Sequence, residues 1–451
     1  MLNLDENNGS LDYINSISIK ERNTLLETVK IMIDDYISHN ILAYANPTFD
    51  ETLETYITTI LLTQLSPIIS DVFIEEFVND IFDEALSIYN IHITPARSIN
   101  PSQILYPPKY LEMKKKINYL KQIPQPDQRT DDWYTYRHRY ITASSAWKAF
   151  GTISMQNQLI YDKCKPLNIE KYKQGGVSTN TPMHWGQKYE DVSIMWYENN
   201  YDTHVDEFGC IPHATYSYIA ASPDGINTKA GSRYGRMLEV KNIVNREITG
   251  IPKFDYWIQM QLQLEVCDLN ECDFLETRFI EYENEDEFKK DGTFNKTADN
   301  NPKGIIIFFI DNNKPLYEYC PWNCTEQEYA IWEKDILEKH ANLCWIQNLY
   351  WRLDEVSCVL VQRNKNWFEA ANPVLKKLWD TIEKEKYTGY EHRAPKKKER
   401  CVSSKPRKCM INVNDLSGIH ENTSSENTSS ENGASSASNV LMIDTEPLQY
   451  Q

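Results

Sequence analysis

The chain has 451 residues, 41% of them apolar, and a formal net charge of -18, enough length for a substantial core plus an accessory region. The negative balance excludes a protein that coats nucleic acid by bulk charge, so any grip on a polyanion must come from a local groove. The 10 scattered cysteines suggest no disulfide framework, and the best apolar run, around 57–69, is broken by Thr, Gln, Ser and Pro. These features exclude a disulfide-stapled secreted protein and a membrane partner, and imply an intracellular, soluble one.

From residue 18 to 92 apolar side chains recur at helical spacing: Leu25, Val29 and Ile33, then Ile57, Leu61 and Leu65, then Phe77 and Ile81. The stretch 94–108 holds several prolines without periodicity and predicts a linker. Residues 1–110 are therefore expected to form an all-helical accessory domain. From 111 the texture becomes mixed α/β. Short β-branched and aromatic runs at 218–221, 237–243, 274–282 and 304–310 alternate with helical stretches at 185–199, 254–266 and 326–347. This pattern predicts an α/β (α+β) domain over 111–350, followed by a helical extension over 351–394. After 395 comes a basic run at 396–400 and an ENTSS repeat across 421–433, too poor in apolar residues to order itself. The basic run fits a nuclear address, a non-specific DNA contact or a solvated tail.

The chemistry concentrates in the α/β part. Ser222-Pro223-Asp224-Gly225 is turn chemistry at a strand end, and the chain returns on an apolar strand carrying Glu239-Val240-Lys241. Residues two apart on a strand share a face, so Glu239 and Lys241 point together while Val240 points into the core. Asp224 and Glu239 are hard oxygen ligands for Mg²⁺ or Mn²⁺, and the Val240 carbonyl can add another. Such a metal lowers the pKa of bound water and neutralises a scissile phosphate. Lys241 then positions the water or removes its proton, and a base role requires a lowered pKa. A bare D…E-x-K pattern is common by chance, but here it has company. Glu190, in Trp185-Gly186-Gln187-Lys188-Tyr189-Glu190, can aim a third carboxylate at the metal from a helix. Gln259 and Gln263 are one helical turn apart, with Gln261 rotated away, and an amide there can orient water. Arg137 and Arg139 can fork onto a phosphate, beside the hydroxyls of Thr142 and Ser144.

Taken in order, W-x3-R-x3-ITAS at 133–144, WGQKYE at 185–190, ASPDG at 221–225, LEVK at 238–241 and Y-x2-QMQ at 256–261 resemble the YqaJ-like, lambda-exonuclease-like viral recombinases. The resemblance covers roughly 130–265. It implies a PD-(D/E)XK restriction-endonuclease-like core and Mg²⁺-dependent 5′-to-3′ digestion of duplex DNA ends. It also implies a viral protein of DNA recombination, repair or replication, acting in the host cell with a single-strand annealing protein as a partner; a homo-oligomer stays open. By motif, Asp224 and Glu239 resemble the metal ligands, Lys241 the catalytic lysine, Glu190 the helical carboxylate, and Gln259 the glutamine beside the water. Arg137 and Ser144 resemble the pocket for a 5′-phosphate. Asn242 departs from the family, many of whose members have cysteine there. The residues alone leave two alternatives: an endonuclease or structure-specific nuclease of the same fold, and a non-catalytic DNA-binding module. No four-cysteine set brackets the motifs, which argues against an iron–sulfur nuclease.

Overall fold

A computed structural model describes residues 17–67, 74–100, 110–126, 128–168, 179, 181–312 and 314–395. The basic run and the ENTSS repeat lie outside these residues. Three antiparallel-style helical passes open the chain: α1 (Ile19–His39), α2 (Phe49–Leu65) and α3 (Ile74–His92). Ser18 and Glu21 form a capping box that starts α1 by satisfying its first free N–H groups. The helices bury stripes at three- and four-residue spacing, Val29, Ile33 and Ile37 on α1, Leu53, Ile57 and Leu61 on α2, and Val78, Ile81, Phe82 and Ala85 on α3.

The sequence expectation of a linker from Thr94 is corrected by the structure as far as it describes the segment, to Asn100. Tyr44 donates to the Pro95 carbonyl at 2.6 Å, Arg97 donates to the Ala45 carbonyl at 3.0 Å, and Trp257 Nε1 donates to the Arg97 carbonyl at 3.1 Å. Ile99 forms an antiparallel bridge with Leu360. Prolines removed the periodicity that identifies a strand or helix, yet the backbone found fixed partners.

Beyond α4 (Tyr110–Gln122) and α5 (Asp131–His138) the chain builds two sheets. The smaller has β1 (Ile141–Thr142), β3 (Ile211–Pro212) and β4 (Ile219–Ala221) in the order β1-β4-β3. The larger takes β2 (Val205–Asp206), β5 (Gly225–Asn227), β6 (Met237–Asn242), β7 (Glu271–Glu281), β8 (Lys303–Asp311), β9 (Lys314–Tyr319) and β10 (Cys344–Gln362), in the order β2-β5-β6-β7-β10-β8-β9. β6 and β7 run parallel and the other neighbours antiparallel, so the sheet is mixed. α6 (Ile153–Cys164) precedes α7 (Pro182–Tyr201), α8 (Phe254–Cys267) crosses from β6 to β7, α9 (Glu326–Lys339) precedes β10, and α10 (Lys365–Thr388) follows it.

β10 corrects the sequence reading. The helix expected over 326–347 ends at Lys339, and the segment expected as a helical extension from 351 begins in strand. Arg352, Asp354 and Glu355 disguise the strand, but Arg278 pairs across the sheet with Glu355 at 2.6 Å and Asp354 at 3.6 Å, and Arg352 pairs with Asp291 at 3.7 Å, so these charges have separate partners rather than one helical face.

The two faces of β6 have different fates. Leu238 and Val240 pack with Tyr197 of α7, while Glu239 faces α8, where Gln259 and Gln263 bond it. The alternation expected for the Glu-Val-Lys strand is therefore realised across two helical layers.

Candidate active site

Asp224 stands between β4 and β5. A Cβ on Gly225 would overlap Val205 Cγ1, so the glycine of Pro-Asp-Gly is required for β2 to approach, not for an unusual φ. The β5–β6 ladder starts at Gly225–Leu238, and beyond it the Asp224 carboxylate accepts the Val240 amide at 2.8 Å. The side chain thus replaces the missing strand and fixes its own direction.

Glu239 is fully buried and its carboxylate is almost fully committed. Oε1 accepts from Lys241 Nζ and from Gln259 Nε2 at 2.6 Å, and Oε2 accepts from Gln263 Nε2 at 2.7 Å. Lys241 also lies 5.1 Å from the Tyr256 ring centre. Burial alone would lower the Lys241 ammonium, but Glu239 and Asp224 outweigh it and hold the group above its ordinary value. The lowered pKa that a base role requires is therefore not what these surroundings supply; they favour a charged, orienting lysine. Burial and the neighbouring Glu239 push the Asp224 carboxyl well above the usual range.

Arg137, on α5, donates to Ser222 Oγ at 2.8 Å and Ser144 Oγ at 2.9 Å, with its guanidinium 4.1 Å from the Trp133 ring centre. Ser222 joins the two halves, because its carbonyl accepts from Gln263 Nε2 at 3.1 Å, the amide that also holds Glu239. Behind Arg137, Lys163 donates to its carbonyl at 3.0 Å, and burial together with Arg137 pushes the Lys163 ammonium down to about 8. Arg139 is exposed at the end of α5 and forms none of these bonds, and the buried Thr142 hydroxyl lies 3.0 Å from that of Ser145 and 3.4 Å from that of Ser144.

Glu190 lies on α7 at the mouth of an open cleft of about 700 Å³ that Asp224 also lines. Its carboxylate pairs with Arg129 at 2.7 Å, and burial raises its pKa against the opposing pull of that arginine. Among the described residues no three His, Cys, Asp or Glu side chains form a ready-made metal cage. The donor set still fits a hard divalent cation: Mg²⁺ commonly uses one or two carboxylates and keeps its waters, and the crowding that raises Asp224 is what a cation would relieve.

Sequence reasoning brought Asp224, Glu239, Val240, Lys241 and Gln259 together, as found, and paired Arg137 with Ser144. It missed Ser222 as a pocket hydroxyl, although Ser222 lies two residues before Asp224 at the same strand end. It missed Lys163 and Arg129, which belong to no motif. Asn242, noted as a departure, ties β6 to α7: its amide donates to the Gly186 carbonyl at 2.7 Å, and its oxygen accepts from Ser193 and Thr277, both at 2.7 Å.

Residues 132–270 match the YqaJ-like viral recombinase domain. An uncharacterized protein of Acanthamoeba polyphaga mimivirus, R354, is 30% identical over 324 residues, 62% of this chain and 57% of that protein. The chain thus spans little more than half the length of that relative. The crystal structure of an alkaline exonuclease, LHK-Exo, from Laribacter hongkongensis superposes with a TM-score of 0.33 at 16% identity, over 57% of this chain and 94% of that one. Its complex with dAMP gives the same values. No helix among the described residues is long and apolar enough to cross a membrane. Arg137, Ser144, Glu190, Ser222, Asp224, Glu239, Lys241, Gln259 and Gln263 all fall inside the segment that matches the YqaJ-like viral recombinase domain.

Proposed function

We propose that the protein is a divalent-metal-dependent deoxyribonuclease that digests one strand of linear duplex DNA from 5′-phosphorylated ends. The observation that carries this reading is the Ser222 junction, where one residue links the Arg137 pocket to the amide holding Glu239. An anion gripped by Arg137, Ser144 and Ser222 then lies beside the carboxylates, as an end-directed phosphodiesterase needs.

Asp224 and Glu239 would hold Mg²⁺ or Mn²⁺, with Glu190 and the Val240 carbonyl at its margin. The ion supplies an activated water and neutralises phosphate charge. The protein's own groups do the positioning. Lys241 stays protonated against Glu239 and faces developing negative charge, worth more in a partly dry site than in water. Gln259 orients Glu239 and is within reach of a water on it. Arg137 contributes charge-assisted bonds to a terminal phosphate, its guanidinium stiffened by Trp133. Processing from 5′ ends leaves a 3′ single strand, a suitable substrate for strand annealing in viral DNA recombination or repair.

The test is degradation of linear duplex DNA labelled at one end of each strand, with Mg²⁺, a closed circle as control, and Asp224→Ala alongside. Loss from 5′ ends, absent on the circle and in the variant, is the expected result. Cutting of the circle would establish an endonuclease instead, and binding without cutting a non-catalytic module.

A further inference from the structure

One wall of the cleft comes from residues outside every motif. The loop after α4 is pinned on both sides of the cleft's floor: Gln125 Oε1 accepts from the Gly209 amide at 2.6 Å, and Gln128 Nε2 donates to the Phe208 carbonyl at 2.8 Å. A Cβ on Gly209 would come within 2.6 Å of the Pro126 carbonyl, so that glycine admits the loop. The loop ends in Arg129, held at φ +66°, a left-handed conformation unfavourable for a long side chain. Backbone strain of this kind costs about 1–3 kcal/mol and persists only where surrounding bonds enforce it. Here they deliver a guanidinium to the Glu190 carboxylate at 2.7 Å.

The charge around it makes that delivery informative. Glu190, Asp191, Asp206, Glu207 and Asp224 line the cleft, opposed by Lys121 and Arg129. Lys121 is paired with Asp206 on the loop's far side. A phosphodiester entering so acidic a cleft needs cations, and Arg129 is the cation placed beside Glu190. Its side chain remains 46% exposed and lines the cleft, and among the described residues its hydrogen bond is to Glu190.

Resting on the nuclease reading, we propose that Arg129 is a further catalytic residue with two positions. Without metal it neutralises Glu190 in the cation's place. When a divalent ion takes that carboxylate, the guanidinium turns to a non-bridging oxygen of the phosphate in the cleft and stabilises charge there during cleavage. The swap conserves charge at Glu190 and breaks no covalent bond.

The full chain tests this with Mn²⁺ as the probe. Free Mn²⁺ is followed by electron paramagnetic resonance without DNA, and single-turnover cleavage of a 5′-phosphorylated duplex is measured at saturating Mn²⁺. Arg129→Gln should bind Mn²⁺ a few-fold more tightly, because an exposed ion pair of up to about 1 kcal/mol no longer competes for Glu190. It should nevertheless cleave about 100-fold more slowly, the usual loss for one charge-stabilising donor. Arg129→Lys should restore wild-type Mn²⁺ affinity and recover part of the rate. A guanidinium that merely braced the loop would lower Tm without tightening Mn²⁺ binding, and that result would overturn the proposal. So would Arg129→Gln cleaving at the wild-type rate. Wild-type protein that binds Mn²⁺ and cleaves no DNA would overturn the nuclease reading and the phosphate role together, while tighter Mn²⁺ binding by Arg129→Gln would still support the resting role.

Discussion

Glu239 and Lys241 sit on an interior strand with helices on both sides, whereas Arg137 and Ser144 sit on two short helices, Asp131–His138 and Ala143–Ala146. The strand half gathers carboxylates whose burial and mutual repulsion push Asp224 well above its ordinary range. The short-helix half pairs one guanidinium with two hydroxyls and an indole face, and its like-charge conflict falls on Lys163, which burial and Arg137 push down to about 8. The difference teaches that rigid strands are used where charges must be held against their own repulsion. Short helices suffice where one guanidinium finds neutral hydroxyl partners.

If that division of labour is right, the largest losses follow changes on the strand. Lys241→Ala and Glu239→Gln should each slow single-turnover cleavage by about 10³-fold or more, the several kcal/mol expected when metal-assisted stabilisation is disrupted. DNA affinity, read by fluorescence anisotropy, should change little. Cleavage retained in Lys241→Ala would remove the lysine from the mechanism.

A smaller and more selective effect should follow from the short-helix half. Arg137→Ala should cost about 10- to 100-fold on 5′-phosphorylated ends, the value of charge-assisted hydrogen bonds of roughly 1.5–3 kcal/mol. On 5′-hydroxyl ends it should cost much less. Equal losses on the two substrates would mean that Arg137 braces the site instead of reading the phosphate, and the contrast between the halves would fail.

The sequence was informative where local chemistry is self-contained. Pro-Asp-Gly announces a strand end, Glu-Val-Lys alternates, and Gln259 and Gln263 share a helical face, so period and turn residues were enough to bring Asp224, Glu239, Lys241 and the amides together. What stayed hidden depends on contacts distant in sequence. The strand 344–362 was concealed because its two carboxylates are satisfied by Arg278 on the neighbouring strand and its Arg352 by Asp291. Asn242 looked like a mere departure until Ser193, Thr277 and Gly186 supplied its partners. Arg129 had no pattern at all, since a left-handed turn carrying an arginine is exceptional and its meaning lies in Glu190, on another helix.

The smallest expected effect is the most direct test of the strain assigned to the strand half. In metal-free protein the folded-state pKa of Asp224 is raised above its unfolded value by burial first and Glu239 second. Its contribution to stability is then fully present below the unfolded pKa, about 4, and is lost as pH rises through the folded value. Asp224→Asn keeps the acceptor for the Val240 amide and removes the titrating charge. In EDTA at neutral pH the variant should therefore melt higher than wild type. The gap should close as pH falls toward 4, where wild-type Asp224 is neutral too. Saturating Mg²⁺ should reverse the order, because only wild type gains the full binding energy of the ion. A variant that melts lower than wild type in EDTA would mean that Asp224 is stabilised by its surroundings without metal, and that the strand half carries no stored repulsion for a cation to relieve.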